Sequence, residues 1–345
     1  MSKRIRVGFG PVVEGEDTLG NRKWRIDAVV NSINRHSKHF GATIFFRDDD
    51  LFCFDIIVVA KELDLFIPNV VRDLHARGIR VIYDTADIRH VFADGKGHDL
   101  YTDRAAWEKY YRPFVGSVDG LILANPRQQD VDDDQAIPRM KIALPLLNRH
   151  RRTRYAHAGP IRLIWQGYPE NMPPMLRLHP ILDRLRLDTG LDIRLVYNTK
   201  GAARREGPIE YTQWNVHRWD RVLAEADIAV AIKPLDDPYQ QRKPATKVIS
   251  YMAAALPVVC TPSQADRQVI HHGKTGFFAY NDQEWYDYLH ALIQDPSLRS
   301  RIGNAARRQV IEAYGDKQVA AEYEDLFERV LANRPMPGLS ASSKG

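Results

Sequence analysis

The sequence predicts an α/β protein of two domains, each built on a parallel sheet with helices over both faces. Three observations carry this expectation. Short apolar runs of strand length alternate with stretches of helical periodicity, and the alternation breaks at a basic segment near mid-chain before starting again. The 345 residues also exceed what one hydrophobic core usually organises, since domains run at about 100–200 residues each.

The first series of strand-like runs covers residues 5–9, 42–46, 55–59, 79–83, 120–124 and 141–144. They are short, mostly apolar runs, as befits strands of a parallel sheet covered on both faces. The basic run Asn148-Arg-His-Arg-Arg-Thr-Arg-Tyr155 then marks a boundary. A second series follows at 161–165, 192–196, 227–232, 256–260 and 276–279, and three helical stretches close the chain at 283–294, 296–313 and 317–332. In the middle one, Leu298, Ile302, Ala305, Ala306 and Val310 share one stripe. The expected organisation is a Rossmann-like domain over 1–150, a linker over 151–158 and a second Rossmann-like domain over 159–316. A helix over 317–333 that can return to the first domain and a small, polar tail over 334–345 complete it. No short-period repeat is present, although the two halves share a βα rhythm.

Apolar residues make up 44% of the chain and charged residues 27%, an ordinary globular composition. The net charge of +5 arises from 49 basic and 44 acidic residues spread along the sequence, a mixed surface and not a nucleic-acid footprint. A local basic groove for an anionic ligand fits the same balance. No apolar run approaches the ~18 residues of a membrane span, and the N-terminus passes directly into a strand-like run without a signal core, so a cytoplasmic protein is expected. Peripheral membrane contact would rest on Arg149, Arg151, Arg152 and Arg154, for which a solvated linker is the alternative. Cys53 and Cys260 lie in strand-like apolar runs and are expected as small buried hydrophobes, with neither disulfide nor metal.

The strongest local signal is Arg242-Lys-Pro-Ala-Thr-Lys-Val-Ile-Ser-Tyr-Met-Ala-Ala-Ala-Leu-Pro-Val-Val259, where Thr246 is placed to cap a helix running to Ala255. That helix opens on Arg242, Lys243 and Lys247 with no acid. A helix N-terminus carries about half a positive charge, so cations there are unfavourable unless an anion sits among them. A phosphate would resolve the conflict by accepting from the free N–H groups and the cations together. A basic turn relieved by water and salt is the competing explanation.

This stretch belongs to a longer pattern. Asp227-Ile-Ala-Val-Ala-Ile-Lys-Pro-Leu-Asp-Asp237, Lys243, Lys247, Tyr251-Met-Ala-Ala-Ala-Leu-Pro-Val-Val259 and His272-Gly-Lys-Thr-Gly-Phe-Phe278 occur in that order. Together they resemble the C-terminal domain of retaining GT-B glycosyltransferases of the family 4 type, over about residues 160–330. The resemblance implies two Rossmann-like domains facing a cleft and a nucleoside diphosphate sugar as donor, with neither cofactor nor metal. A carbohydrate, lipid-linked or small-molecule hydroxyl is the implied acceptor. It further implies that Lys247 contacts the donor diphosphate, that the backbone at Gly167 approaches the phosphate or sugar, and that Asp236, Lys243 and Arg242 are subsidiary donor contacts. Lys247 and Lys243 then carry the charge that develops on the leaving diphosphate. The family often has two glutamates eight positions apart here, the second binding the ribose; this chain has Arg242 and Ser250 instead. A serine hydroxyl can bond one ribose oxygen but cannot make the carboxylate's bidentate contact.

The N-terminal half fits the pattern in outline. Its first strand is followed by a loop carrying Gly20 and Arg25, placed to face donor phosphate and acceptor, with an ordinary flexible loop as the alternative. Asp84 and Asp87 follow the strand ending at Tyr83 and are candidates to orient an acceptor hydroxyl, with helix capping as the alternative. Gly273-Lys-Thr275 lacks the glycine that a phosphate-binding loop needs at the place of Gln268 and reads as a turn. Asp48-Asp-Asp50 and Asp132-Asp-Asp134 read as solvated turns or helix starts and His271-His272 as a polar helix end. The function expected is retaining sugar transfer in polysaccharide, glycolipid or glycoconjugate biosynthesis. A sugar-nucleotide epimerase or hydrolase, or a non-catalytic nucleotide-sugar binding protein, remains open beside it.

Overall fold

Alternation along each apolar run decides which layer it feeds. In the run Ile56–Ala60, Ile56 and Val58 pack with one cluster of buried side chains, while Ile57 and Val59 pack with another. A strand with no polar face must be covered on both sides, and that requirement builds a three-layer domain. In the computed structural model of the chain, residues 4–12, 22–60, 68–85, 112–123, 137–141, 146, 150–215, 217–237, 240–241 and 243–332 are described. The chain forms two compact units, Met1–Pro145 with Asp316–Gly345, and Leu146–Gly315.

The first unit carries β1 (Ile5–Val12), β2 (Phe40–Phe46), β3 (Ile56–Ala60), β4 (Arg80–Asp84), β5 (Gly120–Leu123) and β6 (Arg139–Lys141). They form one parallel sheet in the order β2-β1-β3-β4-β5-β6. The described helices between them are α1 (Ala28–His36), entered through a π-helical turn at Arg22–Asp27, α2 (Pro68–Ala76) and the short α3 (Arg112–Val115). On one face Val7, Phe9, Ile56 and Val58 meet Val29 and Ile33 of α1, and on the other Ile57, Val59 and Val81 meet Val71, Leu74 and Phe114.

The second unit is a seven-stranded sheet in the order β13-β12-β11-β7-β8-β10-β9. Its strands are β7 (Ile161–Gln166), β8 (Ile193–Thr199), β9 (Arg204–Glu206), β10 (Ile209–Gln213), β11 (Ile228–Ala231), β12 (Val258–Cys260) and β13 (Phe277–Phe278). All pairs are parallel except β9 with β10. The helices are α4 (Leu178–Thr189), α5 (Trp219–Ala224), α6 (Thr246–Ala253), α7 (Asp282–Gln294) and α8 (Pro296–Tyr314). One face packs Leu163, Trp165, Leu195 and Val230 against Leu178, Leu182 and Leu185 of α4 and Trp285, Leu289 and Ile293 of α7. From β7 the chain builds outward to β8 and β10, then returns to β11 on the other side. The carboxyl ends of β7 and β11 therefore flank a topological switch point, where ligands of such sheets bind.

The last helix, α9 (Asp316–Ala332), belongs to the first unit, where Val319, Tyr323, Leu326, Phe327 and Val330 complete the face lined by α1. Each side chain of this kind contributes about 1.5–3 kcal/mol when fully buried.

Several local expectations change. Residues 151–158 are not a free linker, because the Arg152 amide donates to the Ala254 carbonyl at 2.8 Å and the buried Tyr155 hydroxyl to that of Ala255 at 2.9 Å. Cys53 is exposed in a 3-10 turn at Leu51–Cys53, since Asp49 and Asp50 accept from the amides of Phe46 and Phe52 and end the preceding strand; Cys260 is buried. Of the strand expected at 141–144, Lys141 ends a strand that begins at Arg139, and 142–144 lie outside the described residues. Thr246 is the first helical residue of α6 and caps nothing; Ala245 holds the capping position without a side-chain bond. Among the described residues no helix is long and apolar enough to cross a membrane.

Candidate functional site

The carboxyl end of β7 and the start of α6 are tied together by α6's own periodicity. Lys247 and Tyr251 stand four residues apart and so share one helix face. The Tyr251 hydroxyl, fully buried, accepts from the Gln166 amide at 2.8 Å, clamping the end of β7 to the helix. One turn earlier, the Lys247 ammonium lies 4.7 Å from the centre of the Trp165 ring. Gly167 makes that possible: a β-carbon there would stand 2.7 Å from the Lys247 nitrogen and 2.7 Å from Trp165. Any larger residue would displace the cation.

A second lysine completes the cluster. Lys233 leaves the end of β11, and its ammonium meets a carboxylate oxygen of the buried Asp266 at 2.9 Å and the Ser263 hydroxyl at 3.3 Å. Ser263 in turn donates to Asp266 at 2.6 Å, and the Lys233 amide to the Thr261 hydroxyl at 2.8 Å. The Lys243 carbonyl also accepts from the Lys233 ammonium, at 3.5 Å. Asp266 thus answers Lys233. Among the described residues Lys247 makes no ion pair, and its contact with Trp165 supplies attraction without a counter-charge.

Burial pushes the Lys247 ammonium down to about pKa 7, and repulsion from Lys233 and Lys243 adds to that shift while Asp266 opposes it. The first turn of α6 contains no acid and its cap position makes no side-chain hydrogen bond. Amide donors and cations therefore converge at the switch point, an arrangement suited to an anion.

Of the other candidates, Lys243 is half-buried just before α6. Ser250 turns its hydroxyl inward and donates to the Thr246 carbonyl at 2.9 Å, a bond within its own helix. Asp236 is exposed in the loop after β11. In the first unit Arg25 and Asp84 find each other: the guanidinium lies 3.2 Å from the carboxylate, at 8% and 2% exposure, at the carboxyl end of β4. Tyr323 of α9 is buried beside them, and its hydroxyl has no hydrogen-bond partner among the described residues. Gly20, Asp87 and Arg242 lie outside the described residues.

Sequence reasoning passed over Lys233, Asp266 and Tyr251 as site components. Lys233 carried a weak signal as a lone cation at the end of an apolar strand, but its partner stands 33 residues away with nothing between to connect them.

The comparisons with known proteins agree with this architecture. Residues 194–295 match the profile of the family described as Glycosyl transferases group 1. Spore coat protein SA of Bacillus subtilis is 26% identical over 81 residues, an alignment covering 23% of this chain and 22% of that protein. Sucrose-phosphate synthase from Thermosynechococcus elongatus superposes with a TM-score of 0.64 at 10% identity, covering 96% of this chain and 100% of that one. Anabaena Alr3699/HepE, solved with UDP and glucose, gives 0.63 at 10% identity over 94% and 100%. The chain covers 54% of TarM, at a TM-score of 0.57 and 13% identity over 79% of this chain. The fold is that of the GT-B glycosyltransferases, two Rossmann-like domains each on a parallel sheet, and the second unit carries the group 1 segment.

Proposed function

We propose that this protein transfers a sugar from a nucleoside diphosphate sugar to an acceptor hydroxyl with retention of anomeric configuration and without a metal. The site serves the synthesis of a polysaccharide, glycolipid or other glycoconjugate. The observation that carries this reading is the Lys247 ammonium, unpaired with any described carboxylate, held between Trp165 and Gly167 where the first turn of α6 opens. A diphosphate there would meet Lys247, Lys243 and the amides of α6 together. As the glycosidic bond breaks, charge grows on the leaving diphosphate, and fixed cations in a desolvated site stabilise that state more than the ground state.

Within this proposal Gly167 lets the β7 backbone approach the phosphate or sugar, and Arg242 and Asp236 are subsidiary donor contacts. Gly20 and Asp87 belong to the acceptor side. Asp84 acts through Arg25, holding the guanidinium in place for an anionic or hydroxyl group. Ser250 contributes least, because its hydroxyl already donates within α6. The bidentate ribose contact is therefore missing, which favours a donor held mainly through its diphosphate. UDP and glucose bound to Alr3699/HepE support a uridine nucleotide and a hexose as the first donors to try.

The test is turnover across a panel of nucleotide sugars, with and without acceptor, in the wild type and in Lys247→Ala. Transfer should occur with at least one donor and fall about ten- to hundred-fold in kcat/KM in the variant, the cost of a lost hydrogen bond to a charged group. Donor conversion without acceptor would favour the epimerase or hydrolase reading. A variant with wild-type turnover would remove Lys247 from the site.

A further inference from the structure

The opposite end of the second unit's sheet holds a separate basic pocket. It is a cavity of about 470 Å³ at the amino ends of β7, β8 and β11, reached by Arg162 and Arg194 from the strands and by Arg151, Arg152 and Arg154 from the segment preceding β7. Lys247, Gly167 and Lys233 sit at the carboxyl ends of the same strands. The pocket is therefore no extension of the donor site.

Its carboxylates are already occupied. The fully buried Asp227 takes Arg152 at 2.5 Å, the His157 ring at 2.8 Å and the Arg162 amide at 2.9 Å. Glu210 accepts from Arg162 and from Arg194, each at 2.9 Å, and Arg194 is further held by Asp192 at 2.8 Å. Glu225 stands 3.9 Å from Arg162. The His157 ring is held in the same network, its Nε2 at 2.8 Å from Asp227 and its Nδ1 3.2 Å from the Gly159 amide. These bonds fix three guanidinium groups as a rigid wall.

Arg151 and Arg154 are different. Both line the cavity, both are exposed, and among the described residues neither makes an ion pair; Arg154 donates only through Nε, to the Ala156 carbonyl at 3.2 Å. Five arginines and three carboxylates line the cavity, with Asp192 a fourth acid on Arg194, and the two arginines without an ion partner among the described residues are these. A guanidinium presents a planar fork of donors matched to the oxygens of a phosphoryl group. The volume admits a small ligand.

We propose that this pocket is a second binding site, for a phosphorylated ligand gripped by Arg151 and Arg154 against the fixed wall of Arg152, Arg162 and Arg194. The shared chemistry is a phosphomonoester or diphosphate, supplied either by a soluble compound or by a lipid head group.

Inorganic pyrophosphate titrated calorimetrically into the full chain carrying Lys247→Ala, which weakens the carboxyl-end site, should still bind. Adding Arg151→Gln and Arg154→Gln should weaken that binding at least about tenfold, with thermal melting confirming that the fold is kept. If the pair unfolds the protein, Arg154→Gln alone, at an exposed position, should weaken binding about threefold or more. Cosedimentation of the wild type with phosphatidylglycerol vesicles but not phosphatidylcholine vesicles, lost in the arginine pair, assigns a lipid head group. Pyrophosphate binding without cosedimentation assigns a soluble phosphate compound. Two results overturn the proposal: neither pyrophosphate nor anionic vesicles bind, or binding is unchanged by the arginine substitutions.

Discussion

Lys247 is a cation kept where water would hold it better, and its pH dependence follows from that. With a pKa of about 7 in the free protein, it is charged below neutrality and loses its proton as pH rises through 7. A bound diphosphate favours the ammonium, so binding above pH 7 must take up a proton. Affinity for a nucleoside diphosphate sugar, whose own phosphates do not titrate there, should therefore be flat below pH 6 and fall as pH rises from 7 to 9. The slope approaches tenfold per unit. Isothermal titration at several pH values checks this; a flat profile would mean that Lys247 does not touch the diphosphate. At Gly167 the test is steric. An alanine methyl would stand 2.7 Å from the Lys247 nitrogen, so Gly167→Ala should cut kcat/KM at least about tenfold while leaving the melting temperature within a few degrees.

At the scale of elements, the position of α6 depends on what its C-terminus rests upon. Ala255, just beyond the helix, adopts a left-handed φ of 60°, unusual for a residue with a side chain. It is held there by the Tyr155 hydroxyl on its carbonyl and by α8, whose Gly303 packs so closely that a β-carbon would lie 2.1 Å from the same oxygen. Arg299 of α8, nearly fully buried, donates to the carbonyls of Leu292, Ile293 and Tyr155, which fixes α7, α8 and the 151–158 segment as one framework. Gly303→Ala should therefore force α8 away from α6 and cost about 1–3 kcal/mol, read as a lower melting temperature, with donor affinity falling alongside. Unchanged melting would show that α6 is positioned by its sheet contacts alone.

Much at the scale of the whole molecule is legible from order along the chain. Doubly buried strands read as short, mostly apolar runs, and their restart near residue 160 reports a second sheet before any contact is known. The helix expected after 316 forms over Asp316–Ala332, with Val319, Tyr323, Leu326, Phe327 and Val330 as its buried stripe. Local breaks are harder. The run around Cys53 looks like a strand until Asp49 and Asp50 are seen to take backbone amides, and the basic stretch before Tyr155 looks solvated until its partners appear. Those partners are remote: Arg152 pairs with Asp227 across 75 residues and Lys233 with Asp266 across 33, and neither spacing has a periodicity to betray it. Lys247 and Lys243 are thus visible in sequence, while Lys233 and the acid that pairs with it are not.

The claim on which the rest depends is that Lys247 binds a diphosphate. Calorimetric titration of UDP and GDP into the intact chain and into Lys247→Ala tests it most directly. One of the two should bind the wild type, and its Kd should rise about ten- to hundred-fold in the variant, with both proteins melting alike. Equal affinity in both proteins, or no binding of either nucleotide to the wild type, would contradict it.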